Sequence, residues 1–143
     1  MNSHINLVKL SVGTESVEDM IHWQTQRSKQ VSDGQYYHVT RMWPKREDEL
    51  LAGGSIFWVI KGVILCRQRI LGLTEHYRDD GIRRCAIMLD PGIVRVAATP
   101  KKAFQGWRYL QPADAPADLG AGQQHEESLP PALSKALADI GVR

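Results

Sequence analysis

Between Gly53 and Gly62 the chain reads GGSIFWVIKG, and this stretch limits the possible folds more than any other. Ser55 to Lys61 is a nearly continuous apolar run of strand-forming residues, which predicts a strand covered on both faces. A glycine pair precedes it and Gly62 follows it, so the strand is bounded by turns. Val63 to Leu71 is a second strand-like run. Strict alternation places Ile64, Cys66, Gln68 and Ile70 on one face and Val63, Leu65, Arg67 and Arg69 on the other. So apolar a strand as Ile56–Ile60 is hazardous at a sheet edge. The expected fold is therefore α+β: a small, largely antiparallel β-barrel or strongly curved sheet with two to three short helices.

The flanking segments fit this scheme. Ile5 to Val12 predicts a first strand, closed by Gly13. Ser16-x-x-Asp19 approximates a capping box, and Val17, Met20 and Ile21 give the following helix an apolar face as far as about Lys29. Ser32-Asp33-Gly34 reads as a turn and Gln35 to Met42 as a strand. Pro44 suits the first turn of a short helix over 44–52, which Gly53-Gly54 ends. His76 to Gly81 reads as a turn, Arg83 to Leu89 and Ile93 to Ala98 as strands, and Phe104 to Leu110 as an aromatic segment docked on the sheet. The expected core is Ile56, Trp58, Ile60, Ile64, Cys66, Ile70, Ile87 and Leu89. Residues 1–110 form the expected domain. The Pro-, Gly- and Ala-rich stretch 111–130 predicts a flexible linker, and 131–143 a short helix or disordered tail.

The 143 residues suit one domain, and no apolar run approaches the roughly 18 residues of a membrane helix. No leader-peptide pattern is present at the start. Cys66 and Cys85 lie in apolar runs without metal-site spacing, predicting reduced core thiols in a cytoplasmic protein. The net charge of +2 is unevenly spread: −1 over 1–37, +6 over 38–108 and −3 over 109–143. A basic centre attracts anions, phosphates above all.

No metal-ligand spacing, phosphate loop, dinucleotide fingerprint or nucleophile elbow appears, so neither metal nor cofactor is expected. Gly53-Gly54-Ser55 reads as a helix stop before it reads as an anion-binding turn. His38, on a strand near Arg41, is the single catalytic hint. The cations are the stronger signal. Arg67 and Arg69 share a strand face, and Arg41, Lys45, Arg46 and Arg108 would extend it into a donor set for phosphate or carboxylate. Trp43, Trp107 and Tyr109 would add stacking surfaces.

The stretches HVTR, PKR with ELL three residues later, GGS-x-x-WVIKG, RQRI and FQGWRYL resemble a family of small bacterial proteins defined only as a domain of unknown function. The resemblance covers roughly residues 4 to 119 and leaves the tail outside. It implies a fold unit and a bacterial cytosolic setting, and no reaction. A looser topological likeness is to PUA-like barrels and their ASCH and EVE relatives, which often bind RNA or modified bases.

Together these features predict a non-catalytic module for RNA or a modified base, using Arg41, Lys45, Arg46, Arg67, Arg69, Trp107 and Arg108. The alternative is a small enzyme or ligand-binding protein for a phosphorylated or carboxylated metabolite, with Arg67 and Arg69 as the clamp. A third reading is an interaction module whose acidic tail recruits a partner. A deep pocket containing His38 would favour the metabolite. An open basic groove lined by Trp107 would favour nucleic acid.

Overall fold

A computed structural model describes residues 4–29 and 34–120. In chain order the elements are β1 (Asn6–Leu10), α1 (Val17–Ser28), β2 (Tyr36–Thr40), α2 (Glu47–Leu51), β3 (Ser55–Ile60), β4 (Val63–Tyr77), β5 (Arg83–Leu89), β6 (Val94–Pro100) and β7 (Trp107–Leu110), then a 3-10 turn at Pro112–Asp114. The expected turn at Ser32-Asp33, the linker beyond Gly120 and the helix over 131–143 lie outside the described residues.

The strands make one mixed sheet of order β2-β5-β4-β3-β1-β7, with β6 also paired to β4. β1 and β3 are parallel and the remaining pairs antiparallel. The expected barrel does not form, because the sheet runs open from β2 to β7. It is nevertheless strongly curved. In a flat sheet β2 and β3, three places apart, would be separated by roughly 14 Å. Instead the rings of His38 on β2 and Trp58 on β3 meet edge-on with centroids 5.2 Å apart.

β4 produces the curl. Its first part is flanked by β3 and β6, and its second part pairs with β5. The register shifts between Ile64 and Cys66 and again between Ile70 and Gly72. Such bulges bend and twist a strand. The first one overturns strict alternation. Cys66 joins the inner core with Trp58, while Ile64 joins the outer cluster with Val59, its register partner. β4 also continues to Tyr77, so the expected turn at His76 starts later; the N–H of Gly81 closes it on the carbonyl of Arg78 at 3.0 Å.

All eight expected core residues are buried. The inner face packs Leu7, Ile56, Trp58, Ile60, Ile70 and Ile87 under α1 and α2. The outer face carries a smaller cluster of Val8, Phe57, Val59, Ile64, Val96 and Leu110, with Phe104 and Ala115 against it. Residues 111–119, expected as linker, follow this outer face. The N–H of Ala97 donates to the carbonyl of Ala117 at 2.8 Å, and that of Leu119 to Arg95 at 3.0 Å. Proline and alanine supply little volume, but they leave backbone groups free to pair with β6.

Capping decides the helices. The Ser16 hydroxyl accepts from the N–H of Asp19, and the Asp19 carboxylate accepts from that of Glu15. α2 is shorter than expected and starts at Glu47, leaving Pro44 in the preceding loop. The glycine pair ends it for a steric reason. A Cβ on Gly54 would lie 2.1 Å from the Ile5 carbonyl oxygen and 2.6 Å from that of Leu50, so no side chain fits.

Candidate ligand pocket

The concave inner face opens into a pocket of about 470 Å³ between the end of β1, α1 and β2. Pockets of this size take small organic ligands. Trp58 and Met20 lie deep in it, both buried. Lys9, Gln24, Arg27 and His38 bring the polar groups, and Trp23 and Tyr37 also line it.

Local structure explains each placement. Lys9 follows Leu7 at a strand interval, so both point inward, and Lys9 pairs in register with Trp58. On α1, Met20, Gln24 and Arg27 recur at helical spacing and share the face turned towards the sheet. His38 pairs with Ile87 of the inner core and therefore also points inward.

The pocket wall is held by Gln68, whose side chain is fully buried. Its Oε1 accepts from Gln24 Nε2 at 2.8 Å and from Trp58 Nε1 at 2.9 Å. Its Nε2 donates to Gln24 Oε1 at 2.7 Å and to the Asp90 carbonyl at 3.1 Å. The Trp58 indole and the Gln24 amide are thus fixed in orientation.

Electrostatically the pocket is positive. Neither Lys9 nor Arg27 has a carboxylate partner among the described residues. Burial pushes the Lys9 ammonium down from its usual value. The His38 imidazole is pushed down to about 4, by burial first and then by the charges of Lys9 and Arg27. His38 is therefore neutral at pH 7. Its Nε2 is sealed from solvent and has no hydrogen-bond partner among the described residues. The arrangement offers two cations and aromatic surface to a single small space.

The cations and aromatic residues expected from sequence to form a binding face lie elsewhere, and they do not all gather on one surface. Arg67 and Arg69 point to the outer face, as does Arg108, in register with Val8. Trp107 is the neighbour of Arg108 on β7 and so points inward, packed against the inner core. Its Nε1 donates to the Met42 carbonyl at 3.0 Å. Arg67 makes a forked pair with Asp118 at 2.8 and 2.7 Å and also donates to Ser55 Oγ. The fork with Asp118 raises the Arg67 pKa and holds the Asp118 carboxyl below its usual range. The expected Arg67–Arg69 clamp thus has one member already occupied.

Arg46 pairs with Glu49, and its guanidinium lies 5.3 Å from the Tyr109 ring centre. The Tyr109 hydroxyl accepts from the N–H groups of Lys45 and Arg46 at 2.9 and 3.1 Å, fixing the loop before α2. Arg41 is exposed in that loop. Arg83 covers the Trp43 ring at 4.3 Å. At the glycine turn, the N–H of Gly54 goes to Leu50 and that of Ser55 to Asn6 Oδ1, leaving neither for an anion.

Sequence reasoning retained His38 and missed Lys9, Trp23, Gln24 and Arg27. The available signal was polar residues at inward positions: a lysine in the apolar phase of NLVKL, and Gln24 and Arg27 in phase with Met20. The charge distribution pointed away from them, because residues 1–37 are net negative.

Among the described residues no group of three or more His, Cys, Asp or Glu side chains is placed to hold a metal ion. Among them, too, no helix is long and apolar enough to cross a membrane. Comparison with curated proteins and with solved structures gave no match. A family model did match, over residues 7–143, and so takes in the tail that the sequence resemblance left outside. With nearly its whole length covered, the chain belongs to the family described as protein of unknown function (DUF1489).

Proposed function

We propose that this protein binds a small metabolite carrying a carboxylate or phosphate in the pocket between β1, α1 and β2. The observation that carries this reading is the convergence of Lys9 and Arg27, without carboxylate partners among the described residues, on the cavity that contains His38. An anion there satisfies both cations at once. Charge-assisted hydrogen bonds of this kind contribute about 1.5–3 kcal/mol each. The role is binding rather than proton transfer, since an imidazole held near 4 is a weak base at neutral pH. Cys66 and Cys85, both unpaired and buried, support a reducing, cytoplasmic setting.

The test is a thermal-shift screen of carboxylated and phosphorylated compounds, followed by calorimetry on the hits. Lys9→Met and Arg27→Met are each expected to weaken binding about tenfold or more. Hits that bind the double variant as tightly as the parent would overturn the reading.

Nucleic-acid binding, with its likeness to PUA-like barrels, is the second reading. It is supported by the outer face, where Lys101 and Arg108 lie 6.0 and 5.2 Å from the centre of one ring, Phe104, without carboxylate partners among the described residues. A short single-stranded RNA belongs in the same screen. Binding that weakens steeply with salt and is lost in Arg108→Ala would favour this face over the pocket.

A further inference from the structure

We infer that the ligand is a flat aromatic ring joined by a short linker to its acid group, the chemistry shared by mononucleotides and aromatic acids. This rests on the pocket being the ligand site.

Three observations define that shape. First, the floor of the pocket is rigid: the buried Trp58 is tethered through Nε1 to Gln68 and braced edge-on by His38. A rigid aromatic floor suits a planar group above it better than a flexible chain, since neither partner loses rotamer freedom on contact. Second, Trp23 lines the same pocket yet is 62 % exposed. So large an apolar surface, left in water beside a pocket, is a natural stacking platform.

Third, Trp23 and Arg27 stand four residues apart on α1, which places their Cβ atoms about 5–6 Å apart on one helix face. A ligand ring on Trp23 therefore has its acid group one short linker away, at Arg27. A simple aliphatic acid would satisfy the cations and leave the aromatic surface unused.

The probes are adenosine monophosphate, indole-3-acetate, adenosine, acetate and inorganic phosphate. Binding to the full-length chain is followed by tryptophan fluorescence and by the indole N–H signals in nuclear magnetic resonance spectra. At least one compound combining ring and acid is expected to bind about ten times more tightly than either part alone. The nucleotide and aromatic-acid arms identify the source. Trp23→Ala, at an exposed position, is expected to weaken that compound about five- to a hundred-fold and leave inorganic phosphate unaffected.

Phosphate or acetate binding as tightly as the combined compounds would overturn this inference and leave the anion pocket standing. Adenosine binding as tightly as its monophosphate, with no loss in Arg27→Met, would overturn the anion pocket. No saturable binding of any probe at millimolar concentration would overturn both.

Discussion

Gln68 is a fully buried amide with all its groups in use, and much of the pocket depends on it. Gln68→Leu keeps a similar volume but strands Trp58 Nε1, the Gln24 amide and the Asp90 carbonyl. Buried polar groups left without partners cost about 1–3 kcal/mol each, so a loss of about 2–4 kcal/mol is expected in urea denaturation. A loss below about 1 kcal/mol would show that these groups find other partners. His38 gives a pH-dependent counterpart. Its folded pKa of about 4 lies below the unfolded value near 6.5, so the unfolded chain binds the extra proton between those limits. Stability is therefore highest above pH 6.5 and declines as pH falls towards 4, by up to about 3 kcal/mol from this residue. Denaturation curves across that range are expected to flatten in His38→Leu; an unchanged slope would mean the imidazole is not protected. Neither role was fully legible in the sequence. Gln68 reads as one polar residue in an apolar phase, and only the fold brings Gln24 to it from 44 positions away.

At the scale of elements, the sequence was most informative where local chemistry dominates. The capping box at Ser16, the glycine stop after α2 and the apolar β3 all act through near neighbours, and each appears as read. The sequence was least informative where pairing overrides local pattern. The bulge after Ile64 moves that residue to the opposite face from Cys66, and nothing in VILCRQRI marks the extra residue. Residues 111–119 were misjudged for a related reason. Their composition signals low burial, but their value lies in backbone pairing with β6 and in the Asp118–Arg67 fork. A chain ending at Leu110, compared with one ending at Gly120, loses those bonds and uncovers Val96. Its melting temperature is expected to fall by about 8 °C or more, equivalent to roughly 2 kcal/mol for a domain of this size. Equal melting temperatures would show that the segment only lies on the surface.

At the scale of the whole molecule, net charge along the chain and charge in the fold are distributed differently. The surplus over 38–108 is real, but the fold spends part of it on acids from outside that stretch: Arg67 with Asp118, Lys61 with Glu15, and Arg95 with Glu18. The cations that count in the pocket are two that a linear tally hides among acids. The order of the sheet has a further consequence for how the protein is made. β1 lies between β3 and β7, and its pairing of Asn6 with Leu110 joins the first strand to the last. At about 5–20 residues per second, a ribosome needs on the order of 5–20 s to travel from one to the other. Throughout that interval one edge of NLVKL is bare on the nascent chain. The birth of this protein thus includes a window of several seconds in which its first strand offers a pairing edge to any neighbour on the same message.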